Sequence, residues 1–203
     1  MNKLIAVVGA SGVGKTALVQ ALSSVYPFAT AYEQHAERPF QALFKNDSHY
    51  ALANQIDYFL LRAEQEKLLR RASARIGLID GGLDLDFHGF TRLTSTRLSA
   101  GFHSRGLLTD PEFDLCRRVY SLLRELLPRP ELIVRLHADE ITVAGRLVAR
   151  DRINIASAED TALFNSFLDE WLETVPAEHI LELDVSNETL KYEQSVRLVL
   201  DRI

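Results

Sequence analysis

Short, almost continuously apolar segments alternate with longer segments of helical periodicity along this chain. Uninterrupted apolar runs of this length are typical of strands in a parallel sheet that is covered on both faces, because both sides of such strands are buried. The alternation predicts an α/β fold of three layers, with helices on both faces of a five-stranded parallel sheet. The predicted strands are Lys3 to Val8, Ala29 to Glu33, Ile76 to Asp80, Leu132 to Leu136 and Ile180 to Leu183.

Three segments carry strong helix signals. The stretch from Tyr50 to Arg71 contains neither Gly nor Pro and repeats apolar residues at helical spacing, so one long helix is predicted there. A second predicted helix follows the start signal Thr109-Asp110-Pro111 and ends near Leu127, and a third covers Glu140 to Arg150. The less regular segment from 84 to 106 is expected to carry substrate-facing structure. The sequence contains neither repeats nor Gly/Ser-rich linkers, so residues 1–203 are predicted to form a single domain.

Composition and charge narrow the class of protein. The chain of 203 residues is 47% hydrophobic, and its formal net charge of -5 argues against a nucleic-acid partner, which needs a surplus of clustered Lys and Arg. Cys116 is the single cysteine, which excludes an intramolecular disulfide and favours a reducing compartment. The apolar run from Leu4 to Val8 is too short for a signal peptide or a membrane span. A cytoplasmic protein without a membrane partner is therefore expected.

The first predicted strand leads directly into a segment that fits the phosphate-binding pattern G-x-x-x-x-G-K-[ST] in full. In this motif backbone N–H groups converge on a phosphate at a helix N-terminus, the lysine bridges phosphate oxygens, and the hydroxyl ligates Mg²⁺. ATP or another nucleoside triphosphate and Mg²⁺ are the predicted cofactors, with Lys15 as a catalytic residue and Thr16 as a metal ligand. The predicted nucleotide-binding residues are Gly9, Ala10, Ser11, Gly12, Val13, Gly14, Lys15 and Thr16.

Two carboxylates stand at the carboxyl ends of predicted strands, where doubly wound sheets bind their ligands. Asp80 is predicted to serve the Mg²⁺ site beside Thr16, either as a direct ligand or through a group bound to the ion, and an ordinary Asp-Gly turn is the alternative. Glu33 could orient a substrate hydroxyl and take its proton as the bond to phosphorus forms. A solvated glutamate at a strand end is the alternative for that residue.

Further residues give the chain a resemblance to the deoxynucleoside kinase family over most of its length. The resemblance rests on the phosphate-binding motif together with Tyr32-Glu33, Pro39-Phe40, Phe44-Lys45-Asn46-Asp47 and the stretch from Gln55 through Gln65. It implies a P-loop kinase fold and transfer of the γ-phosphate of ATP to the 5′-hydroxyl of a deoxynucleoside, with Glu33 as the base for that hydroxyl. It also implies a homodimer that forms through helices.

The long predicted helix carries the residues that the resemblance assigns to base recognition. Gln55 and Arg62 are two helical turns apart and therefore share a face, with Tyr58 between them. A glutamine amide can make a bidentate contact with an adenine-like or cytosine-like edge. The resemblance adds Asp86 as the partner of the arginine and Phe90 as an aromatic near the base. A solvated helix face and a plain acidic turn are the alternatives.

An arginine-rich segment resembles the lid of these kinases and is predicted at about residues 146–158. Its arginines Arg146, Arg150 and Arg152 are predicted to be catalytic. Guanidinium groups suit the charge that spreads over a γ-phosphate during transfer, and a mobile lid excludes the water that would hydrolyse the donor. A solvated helix face is the alternative.

The first departure from the family pattern is Gly81-Gly82, which stands where the family usually has an arginine and a serine or threonine. A cation expected near the transferred phosphate and Glu33 must therefore come from another residue. The candidates in the irregular segment are Arg92, Arg97 and Arg105.

The second departure is Ile153-Asn154-Ile155, at a place where an acidic residue of the family commonly contacts the sugar. Glu159 or Asp160 is the candidate substitute. The two departures leave two other functions open. One is a kinase of a nucleoside monophosphate or another small metabolite, and the other is a nucleotide-binding regulator without phosphoryl transfer.

Overall fold

A single parallel sheet forms the centre of the protein. The computed structural model describes residues 2–32, 37–73, 76–94, 107–148, 158–189 and 191–203, except for the side chains of 148 and 158–160. Within these residues the strands are β1 (Lys3–Val8), β2 (Ala29–Ala31), β3 (Ile76–Asp80), β4 (Leu132–His137) and β5 (Ile180–Asp184). All neighbours are parallel, in the order β2-β3-β1-β4-β5, which confirms the predicted sheet.

The strand bounds agree with the sequence prediction to within two residues. β1 and β3 begin and end where predicted, β2 ends at Ala31, and β4 and β5 each extend one residue further than predicted. Val7 pairs with Asp80 and Ala31 pairs with Ile79, so the carboxyl ends of β2, β3 and β1 lie side by side. The loops that follow these three strands therefore meet at one edge of the sheet.

Helices connect the strands. Within the described residues the α-helices are α1 (Lys15–Val25), α2 (Pro39–Asn46), α3 (Ala51–Leu69), α4 (Leu83–Leu85), α5 (Arg92–Thr94), α6 (Asp110–Leu126), α7 (Glu140–Val148), α8 (Ala158–Leu172) and α9 (Glu193–Leu200). A π-helical segment, Asp86–Thr91, joins α4 to α5, and short 3-10 turns cover Ser48–Tyr50 and Ala177–His179. The predicted long helices correspond to α3 and α6. In the described part of the chain, no helix combines the length and the apolar character that a membrane span requires.

Alternate residues of β1 enter two different layers of the core. Ile5 and Val7 pack into an apolar cluster with residues of α1 and α9, whereas Leu4 and Ala6 pack into a second cluster with residues of α3 and α8. Because successive strand residues point to opposite faces, this division places helices on both faces of the sheet. The predicted three-layer arrangement is therefore confirmed.

A third apolar cluster lies between α3, α6 and the segment that follows β3. Phe87 stacks on Tyr120 of α6, with 4.2 Å between ring centroids and 7° between ring planes. Cys116 is fully buried in this cluster, and burial raises the pKa of its thiol to about 12. The thiol is therefore neutral and acts as a small apolar side chain.

His88 occupies the border between this third cluster and α8. Its ring stacks on the Trp171 indole at 5.2 Å, and its Nε2 lies 3.1 Å from the Tyr120 hydroxyl. That hydroxyl donates its only proton to Asp84, at 2.6 Å, so His88 Nε2 must carry the proton that it donates to the tyrosine. Burial lowers the pKa of His88 to about 4, which leaves the imidazole neutral at neutral pH.

Replacing His88 with Phe is expected to flatten the pH dependence of stability below neutral pH. The unfolded chain takes up a proton at His88 near pH 6.5, whereas the folded chain takes it up only near pH 4. As pH falls through this window, the free energy of unfolding of the wild-type protein falls by about 2–3 kcal/mol. The variant lacks this pH-dependent loss. Urea unfolding between pH 4 and 7 measures the difference. Equal slopes of the free energy of unfolding against pH in both proteins would show that His88 does not contribute to this pH dependence.

Candidate active site

The loop between β1 and α1 wraps around the N-terminus of α1. Gly14 is the N-cap of this helix and has a φ of 112°, a conformation that residues with a Cβ rarely adopt. The first turn of a helix presents backbone N–H groups without intrahelical partners, which makes this end an anion-binding position. Lys15 is only 8% exposed, and its Nζ donates to the carbonyls of Gly9 at 2.9 Å and Ala10 at 3.1 Å. The ammonium group therefore lies across the start of the same loop.

Thr16 and Asp80 meet next to this loop. The Thr16 hydroxyl donates to Asp80 Oδ2 at 2.5 Å. Asp80 is fully buried, and its Oδ1 has no hydrogen-bond partner among the described residues. An unpaired buried carboxylate oxygen is costly unless a ligand or a cation completes it. A hydroxyl and a carboxylate are oxygen ligands of the kind that Mg²⁺ prefers, so these two residues fit the ion that the motif implies.

Arg62 connects α3 to the ends of two strands. Its Nε donates to Asp86 Oδ2 at 3.1 Å, and its Nη1 donates to the Asp80 carbonyl at 3.2 Å and to Gln65 Oε1 at 3.1 Å. Gln65 in turn donates from Nε2 to the Tyr32 carbonyl at 3.1 Å. The predicted Arg62–Asp86 pair is therefore present, and both side chains are almost completely buried. Sequence reasoning assigned no role to Gln65, although its position three residues after Arg62 places both on one helical face.

Gln55 lies two turns before Arg62 on α3. It is 7% exposed, and its side-chain amide makes no hydrogen bond within the described part of the chain. An amide without a partner among the described residues is available to a ligand. Tyr58 lies between the two residues and is partly buried. Phe90 belongs to the π-helical segment, and its ring contacts Phe164 of α8 with 4.9 Å between centroids.

The first departure from the family pattern, Gly81-Gly82, forms the turn after Asp80. Gly81 has a φ of 91° and Gly82 has a φ of 114°. A Cβ on Gly81 would lie 3.5 Å from Leu85 Cδ2 and only 3.2 Å from Arg62 Nη2, and the second distance is tighter than most natural contacts of a Cβ. The guanidinium group of Arg62 thus lies against the backbone at the position where an arginine would otherwise begin.

A buried cluster of charged side chains supports the turn after Asp80. Glu66 is fully buried, accepts from the Leu83 backbone N–H at 3.0 Å, and forms two 2.8 Å hydrogen bonds with Arg124 of α6. Arg124 Nε also donates to Asp84 at 2.9 Å. The cluster ties the Gly81-Gly82 turn to α3 and α6. Sequence reasoning missed it, because residues so far apart in the chain carry no shared spacing signal.

The first arginine of the predicted lid contacts the phosphate-binding loop itself. Arg146 Nη1 donates to the Val13 carbonyl at 2.6 Å, and Nη2 donates to the Val185 carbonyl at 3.0 Å. Arg150 and Arg152 lie outside the described residues, as does most of the predicted lid. The predicted base Glu33 also lies outside them, as do 153–155 of the second departure.

The candidate substitutes for the missing arginine are only partly described. Arg92 donates to Glu170 at 2.6 Å and lies over the Phe167 ring, 4.1 Å from its centroid, so its charge is committed to α8. Arg97 and Arg105 lie outside the described residues. The side chains of 159 and 160, proposed for the sugar, lie outside them as well.

A comparison with known protein families identifies the family of this chain. The family model for deoxynucleoside kinase matches residues 5–203. The chain belongs to the deoxynucleoside kinase family. This membership confirms the predicted activity, phosphorylation of a deoxynucleoside by an ATP-dependent kinase. No curated protein matches the sequence at a significant level.

Solved structures of deoxyadenosine kinase from M. mycoides share the fold of this family member. The complex with the products dCMP and a flexible dCDP has a TM-score of 0.77 at 17% identity, covering 98% of this chain and 97% of that chain. The dATP complex has a TM-score of 0.75 at 17% identity and covers 98% of both chains. The dCTP complex has a TM-score of 0.77 at 16% identity, covering 98% of this chain and 100% of that chain. At this identity the likeness establishes the fold alone.

Introducing a Cβ at position 81 is expected to destabilise the protein. Gly81→Ala places an L side chain at a φ of 91° and against the Arg62 guanidinium, so the free energy of unfolding should fall by about 1–3 kcal/mol. Gly145→Ala is the matched control, because Gly145 lies in α7 and a Cβ added there would meet no other atom within 4 Å. At position 145 the change from Gly to Ala should raise the free energy of unfolding by about 0.5–1 kcal/mol.

Urea unfolding of both variants and the wild type measures the two effects. A Gly81→Ala protein as stable as the wild type would contradict the strain and the crowding inferred at this turn.

Proposed function

We propose that this kinase phosphorylates the 5′-hydroxyl of deoxyadenosine or deoxycytidine. The observation that carries the choice of base is a pair of groups: the Gln55 amide, which makes no hydrogen bond with a described residue, and the buried Asp86 carboxylate, which only accepts. Adenine and cytosine each present an amino group beside a ring nitrogen, which one amide can bind with its oxygen and its NH₂ group. Asp86 can only accept hydrogen bonds when ionised, so it also favours an amino group over a carbonyl.

The solved relatives support this proposal. The M. mycoides enzyme is described as a deoxyadenosine kinase, and it has been solved with dATP, with dCTP and with the product dCMP. An adenine and a cytosine nucleotide thus both bind that protein. A pocket that reads the shared amino-and-nitrogen edge accounts for both bases.

On the donor side, the loop from Gly9 to Thr16 binds the phosphates of ATP. The N-terminus of α1 and Lys15 supply positive potential to the phosphate oxygens. Thr16 and Asp80 hold Mg²⁺. The chemistry that such an ion supplies is neutralisation of charge on the β- and γ-phosphate oxygens.

On the acceptor side, Glu33 orients the 5′-hydroxyl and accepts its proton as the bond to phosphorus forms. The residue before it is fixed, because Gln65 donates to the Tyr32 carbonyl and is itself bonded to Arg62. This chain of hydrogen bonds joins the residue before the proposed proton acceptor Glu33 to α3, the helix that is proposed to bind the nucleobase. Tyr58 and Phe90 contribute ring surface to the acceptor pocket.

The lid supplies positive charge to the transferred phosphate. Arg146, Arg150 and Arg152 act on the charge that spreads over the γ-phosphate, in a lid at about residues 146–158. The position of Arg146 at the Val13 carbonyl supports this assignment, since it brings the start of the lid against the phosphate-binding loop.

The protein is proposed to act as a homodimer of one-domain chains in the cytoplasm. Exposed leucines occur at helical spacing on α6 and on α3, two helices that pack on each other. Isologous pairing of such a surface is the commonest way to bury it. The exposed leucines are Leu60, Leu68, Leu115, Leu122 and Leu126. The single neutral thiol of Cys116 is compatible with a reducing compartment.

Nucleoside-dependent ADP release from MgATP tests the proposed activity. We expect turnover with deoxyadenosine and deoxycytidine, at a kcat/KM at least about tenfold above that with thymidine or deoxyguanosine. Gln55→Leu removes the amide at similar volume and should lower kcat/KM for the preferred base about 100-fold. The matched control is Gln20→Leu, at an exposed position on α1, which should change little.

The same panel separates the other two functions. Turnover with deoxynucleoside monophosphates but with no nucleoside would favour a monophosphate kinase. ATP binding by calorimetry without any turnover would favour a regulator. Either result would refute the proposed acceptor, which is the 5′-hydroxyl of a deoxynucleoside.

Charging the leucine surface is expected to separate the dimer. Leu122 and Leu126 on α6 are 57% and 70% exposed, so changing both to Glu should leave the fold intact while it places like charges across the interface. Sedimentation should then show a monomer instead of a dimer. Leu198→Glu, at an exposed position on α9, is the control and should remain dimeric. A monomeric wild-type protein would rule the dimer out.

A further inference from the structure

Tyr192 combines a strained backbone with complete burial. Among the described residues it is the non-glycine residue with a positive φ, at 51° with a ψ of 38°. For a bulky side chain this left-handed conformation costs energy and persists only where the surrounding structure imposes it. The residue is 1% exposed and is one of the largest fully buried side chains. Strain at a buried position invites a functional explanation, and the contacts of the side chain supply one.

The side chain reaches from the N-terminus of α9 to the end of the phosphate-binding loop. A Cβ on Gly14 would lie 2.1 Å from Tyr192 Oη and 3.1 Å from Cζ. Gly14 is the N-cap of α1 and directly precedes Lys15. The tyrosine hydroxyl therefore lies against the backbone where the loop becomes a helix, and only glycine leaves room for it there.

The segment that carries Tyr192 is itself anchored. Glu188 accepts from the backbone N–H of Ser195 at 3.4 Å and from the Ser195 hydroxyl. Tyr192 N–H donates to the Thr189 carbonyl at 3.1 Å, and Lys191 N–H donates to the Thr189 hydroxyl at 3.3 Å. The Glu188 bonds hold the first turn of α9 and the Thr189 bonds hold the residues just before it, so the ring is presented to the loop from a hydrogen-bonded turn.

A second contact joins the same part of the chain to the loop. Arg146 bridges the Val13 carbonyl to the carbonyl of Val185, the residue that follows β5. Val185 is fully buried. Two successive loop residues, Val13 and Gly14, are thus held by contacts that depend on the segment between β5 and α9.

We propose that Tyr192 is a positioning residue that holds the phosphate-binding loop in its nucleotide-binding conformation, acting through the backbone of Gly14. With the space beneath Gly14 filled, the loop cannot collapse onto α9. The backbone N–H groups at Lys15 and Thr16 therefore keep their direction toward the phosphates before ATP arrives. The inference rests on the donor site of the proposed function and is independent of the acceptor.

Two substitutions of graded size and one control test the role. Tyr192→Phe removes the hydroxyl alone, and Tyr192→Leu also removes the ring. Val199→Ala is the control, because Val199 is fully buried on the same helix and in the same apolar cluster. The dissociation constant for ATP is measured by calorimetry without nucleoside, KM is measured for both substrates, and circular dichroism confirms folding.

We expect Tyr192→Leu to raise the Kd and the KM for ATP by about tenfold, and Tyr192→Phe to raise them about threefold, while the nucleoside KM changes by less than about twofold. Val199→Ala should lower the urea midpoint and leave ATP affinity unchanged. A merely structural tyrosine would lower stability without this selective loss on the donor side.

Wild-type ATP affinity in the folded Tyr192 variants would overturn the proposal, and so would an equal loss of affinity in Val199→Ala. If Tyr192→Leu does not fold, Tyr192→Phe decides. A wild-type protein that binds ATP but phosphorylates no nucleoside refutes the proposed function, while the comparison of ATP affinities still decides the role of Tyr192. A wild-type protein that binds no ATP refutes both.

Discussion

The hydrogen bond between Thr16 and Asp80 joins the phosphate-binding loop to the end of β3. The rest of the site is arranged around this contact. The hydrogen bond exists because β1 and β3 are parallel neighbours in a register that pairs Val7 with Asp80, so the loop after one strand meets the carboxylate that ends the other. The register is in turn held by the two apolar layers that enclose both strands. Core packing, rather than any local feature of the loop, therefore sets the distance between the phosphate-binding residues and the buried carboxylate.

Helix α3 extends this order to the acceptor side. It carries Gln55, bonds Arg62 to Asp86 and to the Asp80 carbonyl, and places Glu66 under the following turn. Removing one partner of such a buried ionic group leaves an uncompensated charge, so the stability of each member depends on the others. One helix thus couples the ends of β2 and β3 to the turn after β3 and to the core.

Much of the fold could be predicted from the sequence because local signals and tertiary packing agree. The apolar runs of β1 and β3 gave their bounds, and the motif from Gly9 to Thr16 placed the loop between strand and helix. The Arg62–Asp86 pair followed from resemblance and is present. The contacts of Arg124 with Glu66, and of Tyr192 with Gly14, could not be predicted, because they join residues that are distant in the chain and have no shared periodicity.

The crowding between Gly81 and Arg62 has a consequence for changes made in the turn after β3. A side chain at position 81 and a guanidinium group at position 62 compete for the same space. A side chain added after Asp80 therefore meets the guanidinium group that binds Asp86 and Gln65, and the turn accepts it only if that group shifts by a few tenths of an ångström and the backbone leaves its positive φ. Gly81 thus leaves room for the guanidinium group of Arg62, and a substitution in this turn would disturb the Arg62–Asp86 pair without changing either of its members.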